Sequence, residues 1–250
     1  MMQRPLTILK ESLNHFRSFS SIYLGYSAWI LIPTLGVVLL DLVPNPQSVK
    51  WLAFFLVILG SIAIVWVSII MVHLAVLLET EEPIDFDAIQ TRSLKQIVPV
   101  LSVALWQLLV FLGGVLMLIV PLFFFVVWYT FAQVSVIVDD KRGLEALHYS
   151  KTLVKGHYWY TALGMIGVPA LIGLLFTVAT SLIIAVYAQS TGQDIMALFT
   201  TENEPVWVTA INTIGQLFLI PISTIYTTKF YLAFKSALSK PELVKEEKIG

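Results

Sequence analysis

The 250-residue chain has no cysteine, which excludes disulfides, thiolate catalysis, Cys-ligated zinc and iron–sulfur clusters. It is also short of charge: only 12% of its residues are Asp, Glu, Lys or Arg, against 58% hydrophobic, and its mean hydropathy is +0.85. Soluble domains carry about twice that share of charge, so the composition is that of an integral membrane protein. Short catalytic motifs are missing too. There is no H-E-x-x-H, G-x-S-x-G, G-x-x-x-x-G-K-[ST] or G-x-G-x-x-G. The histidines His15, His73, His148 and His157 do not fall at metal-ligand spacings with carboxylates. The apolar runs offer neither the paired aspartates nor the Ser and His at mid-depth that intramembrane proteolysis needs. A non-enzymatic protein with no cofactor, no metal and no nucleic-acid partner is therefore expected.

Long hydrophobic runs make up most of what is there. Stretches of about 18 or more apolar residues can cross a bilayer, and four are evident at 19–43, 51–78, 159–188 and 207–234. A fifth, uncharged run over 97–138 is about twice the spanning length. It reads as two spans, 97–118 and 121–138, with a tight turn in "LMLIVPLF", because Pro121 suits a helical first turn and pushes its predecessor out of helical geometry. The expected fold is all-α, with six transmembrane helices and short cytoplasmic amphipathic helices. Residues 1–18 are charged throughout and show no cleavage site, so no cleavable signal is expected. An aliphatic-Pro element recurs as "ILIPTL", "LIVPLF", "IGVPAL" and "FLIPIS"; it fits either a helical-hairpin repeat or the ordinary tolerance of spans for proline.

With the N-terminus inside, every one of the 15 Lys and Arg residues except Lys50 falls on the inner side. The positive-inside rule then puts both termini in the cytoplasm, in the cytoplasmic membrane of a prokaryote. Residues 4–18 read as an interfacial helix with Leu6, Leu9, Leu13 and Phe16 on the leaflet face. Residues 83–96 read as a weaker version with Phe86, Ile89 and Ser93 on one face, and 235–250 as a cytoplasmic tail. On the outer side, a short interfacial helix is expected around Ile195 to Phe199.

The most soluble-looking stretch is "VDDKRGLEALHYSKTLVKGHYW", residues 138–159. At about 100° per residue, an elbow helix over 140–156 places Ser150 at the centre of an apolar face with Ala146, Leu147, Leu153 and Val154. Glu145, His148, Lys151 and Lys155 fall opposite. Asp139 or Asp140 is expected to cap its start, Lys151 and Lys155 to meet the negative end of its dipole, and Gly156 to close it in a left-handed conformation. A small hydroxyl residue on the buried face permits close approach to a membrane helix and a bond to a carbonyl there.

This stretch resembles the element after span four in the six-span membrane domain attached to some bacterial glycerophosphodiester phosphodiesterases, and in free-standing relatives. A "G..AL..S..L.KG..W" pattern recurs in that family, and Gly143, Ala146, Leu147, Ser150, Leu153, Lys155, Gly156 and Trp159 match it position for position. The resemblance also takes in the preceding "P....VVWYTFAQVSVIVDD". It implies a membrane fold rather than an activity, because the hydrolytic work in those enzymes belongs to a separate soluble barrel.

Four uncharged amides remain within the spans: Gln107, Gln133, Asn212 and Gln216. Asn212 and Gln216, four residues apart, share a helix face that is expected to turn inward. The four could be interhelical hydrogen-bond glue or the lining of a polar path. The corresponding functions are a module concerned with lipids, the envelope or a membrane partner, including a second copy of itself, and a small transporter or channel for a lipid or other amphipathic compound.

Overall fold

A computed structural model describes residues 3–41, 46–80, 83–117, 120–192 and 206–246. Every regular element among them is helical. The order is α1 (Pro5–Ser18), α2 (Ser20–Ser27), a 3-10 turn (Ala28–Ile30), α3 (Leu31–Asp41), α4 (Pro46–Thr80), α5 (Phe86–Leu116), α6 (Val120–Trp128), α7 (Ala132–Asp139), α8 (Gly143–Val154), α9 (Tyr158–Ala162), a π-helical turn (Leu163–Gly167), α10 (Val168–Thr191) and α11 (Val206–Glu246). Five stretches are long and apolar enough to cross a membrane: Val49–Thr80, Phe86–Leu116, Pro121–Asp139, Tyr158–Thr191 and Thr213–Leu238. The run at 19–43 is not one regular helix, since the 3-10 turn at Ala28–Ile30 divides it into α2 and α3.

Several boundaries differ from those read in the sequence. Residues 83–96 do not form a separate interfacial helix. Asp85 caps α5 by accepting from the N–H groups of Asp87 and Ala88 (both 3.1 Å), and the helix runs unbroken through Pro99 into the membrane-length segment. Ile89 and Ser93 are buried in the protein, while Phe86 is exposed. The segment 235–246 continues α11. α1 departs from the expected pose at Phe16. Ile8, Ser12 and Phe16 are buried where it packs on α11, and Leu6 and Leu13 face outward. The serine fits because its hydroxyl folds back onto the Ile8 carbonyl (2.8 Å). The outer helix expected at Ile195 to Phe199 lies outside the described residues.

Burial is unevenly distributed. The core residues of α4 lie between Val67 and Ala75, those of α7 between Ala132 and Ile137, and most of those of α11 between Ile225 and Phe234. Three ion pairs surround this end of the bundle: Glu79 with Lys229, Asp139 with Lys235, and Arg92 with Asp140 (3.4 Å). Toward the opposite end Trp51, Phe54, Phe55, Leu174, Leu175 and Val186 are exposed, and only 11% of the most apolar stretch of Tyr158–Thr191 is buried. Such surface is stable only against lipid or another apolar partner.

Candidate functional site

The third membrane-length stretch, Pro121–Asp139, is broken at residues 129–131. α6 ends at Trp128 and α7 begins at Ala132, so the regular i to i−4 ladder is interrupted. "WYTFAQ" contains neither proline nor glycine; the break comes from what packs on it. The Phe131 ring turns into an aromatic cluster on α11, with ring centroids 6.1 Å from Phe230, 5.5 Å from Tyr231 and 5.6 Å from Phe234. A break in apolar surroundings frees backbone groups that must find partners.

Ser150 of α8 supplies two of them. Its Oγ donates to the Trp128 carbonyl (2.7 Å) and accepts from the Phe131 N–H (3.1 Å), so one hydroxyl clasps both sides of the break. Ser150 is 0% exposed, and Ala146, Leu147 and Val154 are buried beside it. The face read from the sequence is therefore the docking face, with Leu153 half-buried at its edge and Glu145, His148, Lys151 and Lys155 exposed. Lys151 does more than meet the dipole: its Nζ lies 4.6 Å from the centre of the Trp128 ring. The Lys155 N–H donates to the carbonyls of Lys151 and Thr152, ending the helix. Gly156 follows with φ +85°, the left-handed conformation expected of it. Gly143, at the start, has φ +50°, and Trp159 projects outward.

The expected cap of α8 is not formed. Arg142 occupies the N-cap position without a side-chain bond, and Glu145 in the first turn pairs with Lys141 (2.7 Å). Both aspartates are engaged elsewhere. Asp139 binds Tyr231 and Lys235. Asp140 adopts φ +52° at the end of α7, and its carboxylate meets Arg92 and the Gln96 amide (both 3.4 Å). Gln96 also donates to the Ile137 carbonyl (3.3 Å) and hydrogen-bonds His73 (2.7 Å). This four-residue chain ties α4, α5 and the end of α7 together. Sequence reasoning missed Gln96, which fell at the end of the interfacial helix read over 83–96.

Of the three intramembrane amides whose side chains are described, two pair with each other and one lies apart. Gln107 donates to the Tyr129 carbonyl at the break (2.7 Å), and Gln133 donates to Gln107 Oε1 (3.0 Å). That pair joins α5 to the broken segment. Gln216 is exposed on α11, contrary to the inward face expected, and the Asn212 side chain lies outside the described set. The π-turn Leu163–Gly167 is sealed in the same way as the break at 129–131. The Tyr226 hydroxyl donates to the Gly164 carbonyl (2.8 Å), and the Phe230 ring sits where a Gly164 side chain would be.

Long apolar helices, interrupted backbone closed by internal hydrogen bonds and ion pairs gathered at one end define a multi-pass helical membrane protein. The chain belongs to the DUF7847 family, a domain of unknown function, whose model matches residues 38–234. The match spans the broken segment, the elbow helix and the aromatic cluster of α11. No curated protein and no solved structure matches the chain.

Proposed function

We propose that the chain is a non-enzymatic module of the cytoplasmic membrane of a prokaryote, acting through membrane lipids or through a membrane partner, either another protein or a second copy. The observation that carries this reading is the closure of the break at 129–131 and of the π-turn at 163–167. The carbonyls of Trp128, Tyr129 and Gly164 and the N–H of Phe131 are each held by a side chain of the protein. Interrupted helices that form a transport site instead present such groups to a cavity for the substrate. The resemblance of the elbow to the membrane domain of certain glycerophosphodiester phosphodiesterases supports the same non-catalytic role. Six spans are proposed, the first being Ser20–Asp41, which at about 1.5 Å per residue reaches roughly the thickness of a bilayer core. The cation asymmetry supports cytoplasmic termini.

One observation favours a second reading, a small transporter or channel for a lipid or amphipathic compound. Gln133 is exposed within a membrane-length segment rather than buried. Proteoliposomes separate the two. The module reading expects lipid translocation and solute release no faster than from protein-free vesicles. A flux that is abolished by Gln133→Leu at unchanged melting temperature would replace it with the transporter reading. Topology is tested by single cysteines in this cysteine-free chain: an impermeant thiol reagent should label Thr191→Cys on intact cells, and Lys10→Cys and Thr91→Cys only after permeabilisation. Labelling of Thr91→Cys from outside would overturn the six-span arrangement.

A further inference from the structure

Between α4, α5, α7 and α11 lies a recess of about 290 Å3. No charged residue lines it. Its walls are aliphatic, with Val65, Ile69 and Ile137 among them, and its polar groups are Ser68, Ser223, Thr227 and the amide of Gln133. The neighbouring Thr224 hydroxyl is already bonded to the Ile220 carbonyl (2.9 Å). Gln133 gives one N–H to Gln107; an amide has a second N–H and a carbonyl with further capacity, and Gln133 and Ser223 are both exposed at the recess. Apolar walls around a few uncharged hydrogen-bonding groups are the usual makeup of a small-molecule site.

Depth narrows the ligand. Gln133 precedes Asp139, and Ser223 precedes Lys229, by six residues on continuous helix, so both lie roughly 9 Å from the ring of ion pairs. Ser68 lies farther still from Glu79 on α4. A phosphate head carried that far from the boundary would lose its hydration with no cation to meet it. An uncharged head would instead satisfy the amide and hydroxyls while its chain lies along the aliphatic walls. We propose that this recess binds an uncharged lipid whose head carries hydroxyl or carbonyl groups.

The inference rests on the membrane placement proposed above. It is tested on the full chain in nanodiscs, with a 1-acylglycerol bearing a diazirine in its acyl chain. Photolabelling should map to α4 and α7 at the recess. Excess unlabelled 1-acylglycerol should compete, and phosphatidylglycerol of the same chain length should not. Ser223→Leu, which fills the mouth, should abolish labelling. Thr227→Val, nearly isosteric, should weaken competition about fivefold, the equivalent of one hydrogen bond. Equal competition by phosphatidylglycerol, or labelling spread over the lipid-facing surface of α10, would overturn the proposal. If Ser223→Leu does not fold, Thr227→Val decides, and unchanged competition for that variant refutes the site. Cysteine mapping tests the placement separately: a wrong topology changes thiol accessibility, whereas a vacant recess leaves accessibility intact and labelling diffuse.

Discussion

Replacing Ser150 by alanine removes one oxygen atom and strands two backbone groups. The Trp128 carbonyl loses its 2.7 Å donor and the Phe131 N–H its 3.1 Å acceptor, at a site with no exposure to solvent. Each buried polar group left without a partner costs about 1 to 3 kcal/mol, and partial relaxation toward a continuous helix recovers some of it, so a net loss of about 2 to 4 kcal/mol is expected. Ser150→Thr keeps the hydroxyl but adds a methyl group to a closed site, at about 1 to 3 kcal/mol by over-packing. Lys151→Gln, one residue on, loses only its exposed contact with the Trp128 ring, worth about 0.5 to 1 kcal/mol. The assay is reversible unfolding in mixed micelles followed by the fluorescence of the seven tryptophans, among them Trp128 beside the break. The predicted order of destabilisation puts Ser150→Ala above Lys151→Gln. The reverse order, with Ser150→Ala costing under about 0.5 kcal/mol, would refute the clasp and assign the elbow's main contact to its charged side.

Gly164→Ala should destabilise by about 1 to 3 kcal/mol, because its side chain would enter the Phe230 ring, and Phe230→Leu should rescue part of the loss; the melting temperatures of the two single variants and the double variant test this. Gln107→Leu should cost about 0.5 to 2 kcal/mol by removing its bonds to the Tyr129 carbonyl, which keeps the Ala132 N–H (3.1 Å), and to the Gln133 amide, whereas Gln216→Leu, on an exposed position, should leave stability unchanged in the same unfolding assay. His15 is held below its ordinary pKa of 6.5, first by burial and then by Lys229, with Glu79 opposing. The folded protein therefore resists a proton that the unfolded chain accepts, so stability is full above about pH 6.5 and declines as pH falls from there toward the folded-state value. A pH series of melting temperatures should show that decline, and a shallower one in His15→Gln.

The elbow was legible because its signals are local. Helical spacing alone places Ser150, Ala146, Leu147 and Val154 on one buried face, and Gly156 marks the end. The role of the serine was only half legible: a hydroxyl that could bond a neighbouring carbonyl was expected, and its second bond follows from a break that no residue in "WYTFAQ" announces. That break is a tertiary effect of Phe131 entering the α11 aromatic cluster and of a hydroxyl arriving from 19 residues away. The π-turn had a visible cue in the paired glycines of "LGMIG", which the apolar continuity of the run concealed. Asp139 and Asp140 were assigned to the nearest helix end because sequence proximity is all a capping rule can use. In the fold, Lys235 and Arg92 compete for them and prevail. Phe16 was placed on the outer face of α1 because helical spacing groups it with Leu6 and Leu13; in the fold it is buried with Ile8 and Ser12, whose hydroxyl is spent on its own helix.

The uneven burial of the bundle has a mechanical consequence. Ion pairs, the hydroxyl clasp and the aromatic cluster knot the helices at one end, while toward the other the helices meet as neighbouring pairs, α3 on α4, α5 on α6 and α10 on α11. Helices accommodate a thinner or thicker hydrocarbon layer by tilting, at a modest cost for each ångström of mismatch. With the polar ties concentrated at one end, a change in bilayer thickness would spread these helix pairs apart at the other end while the knotted end keeps its geometry.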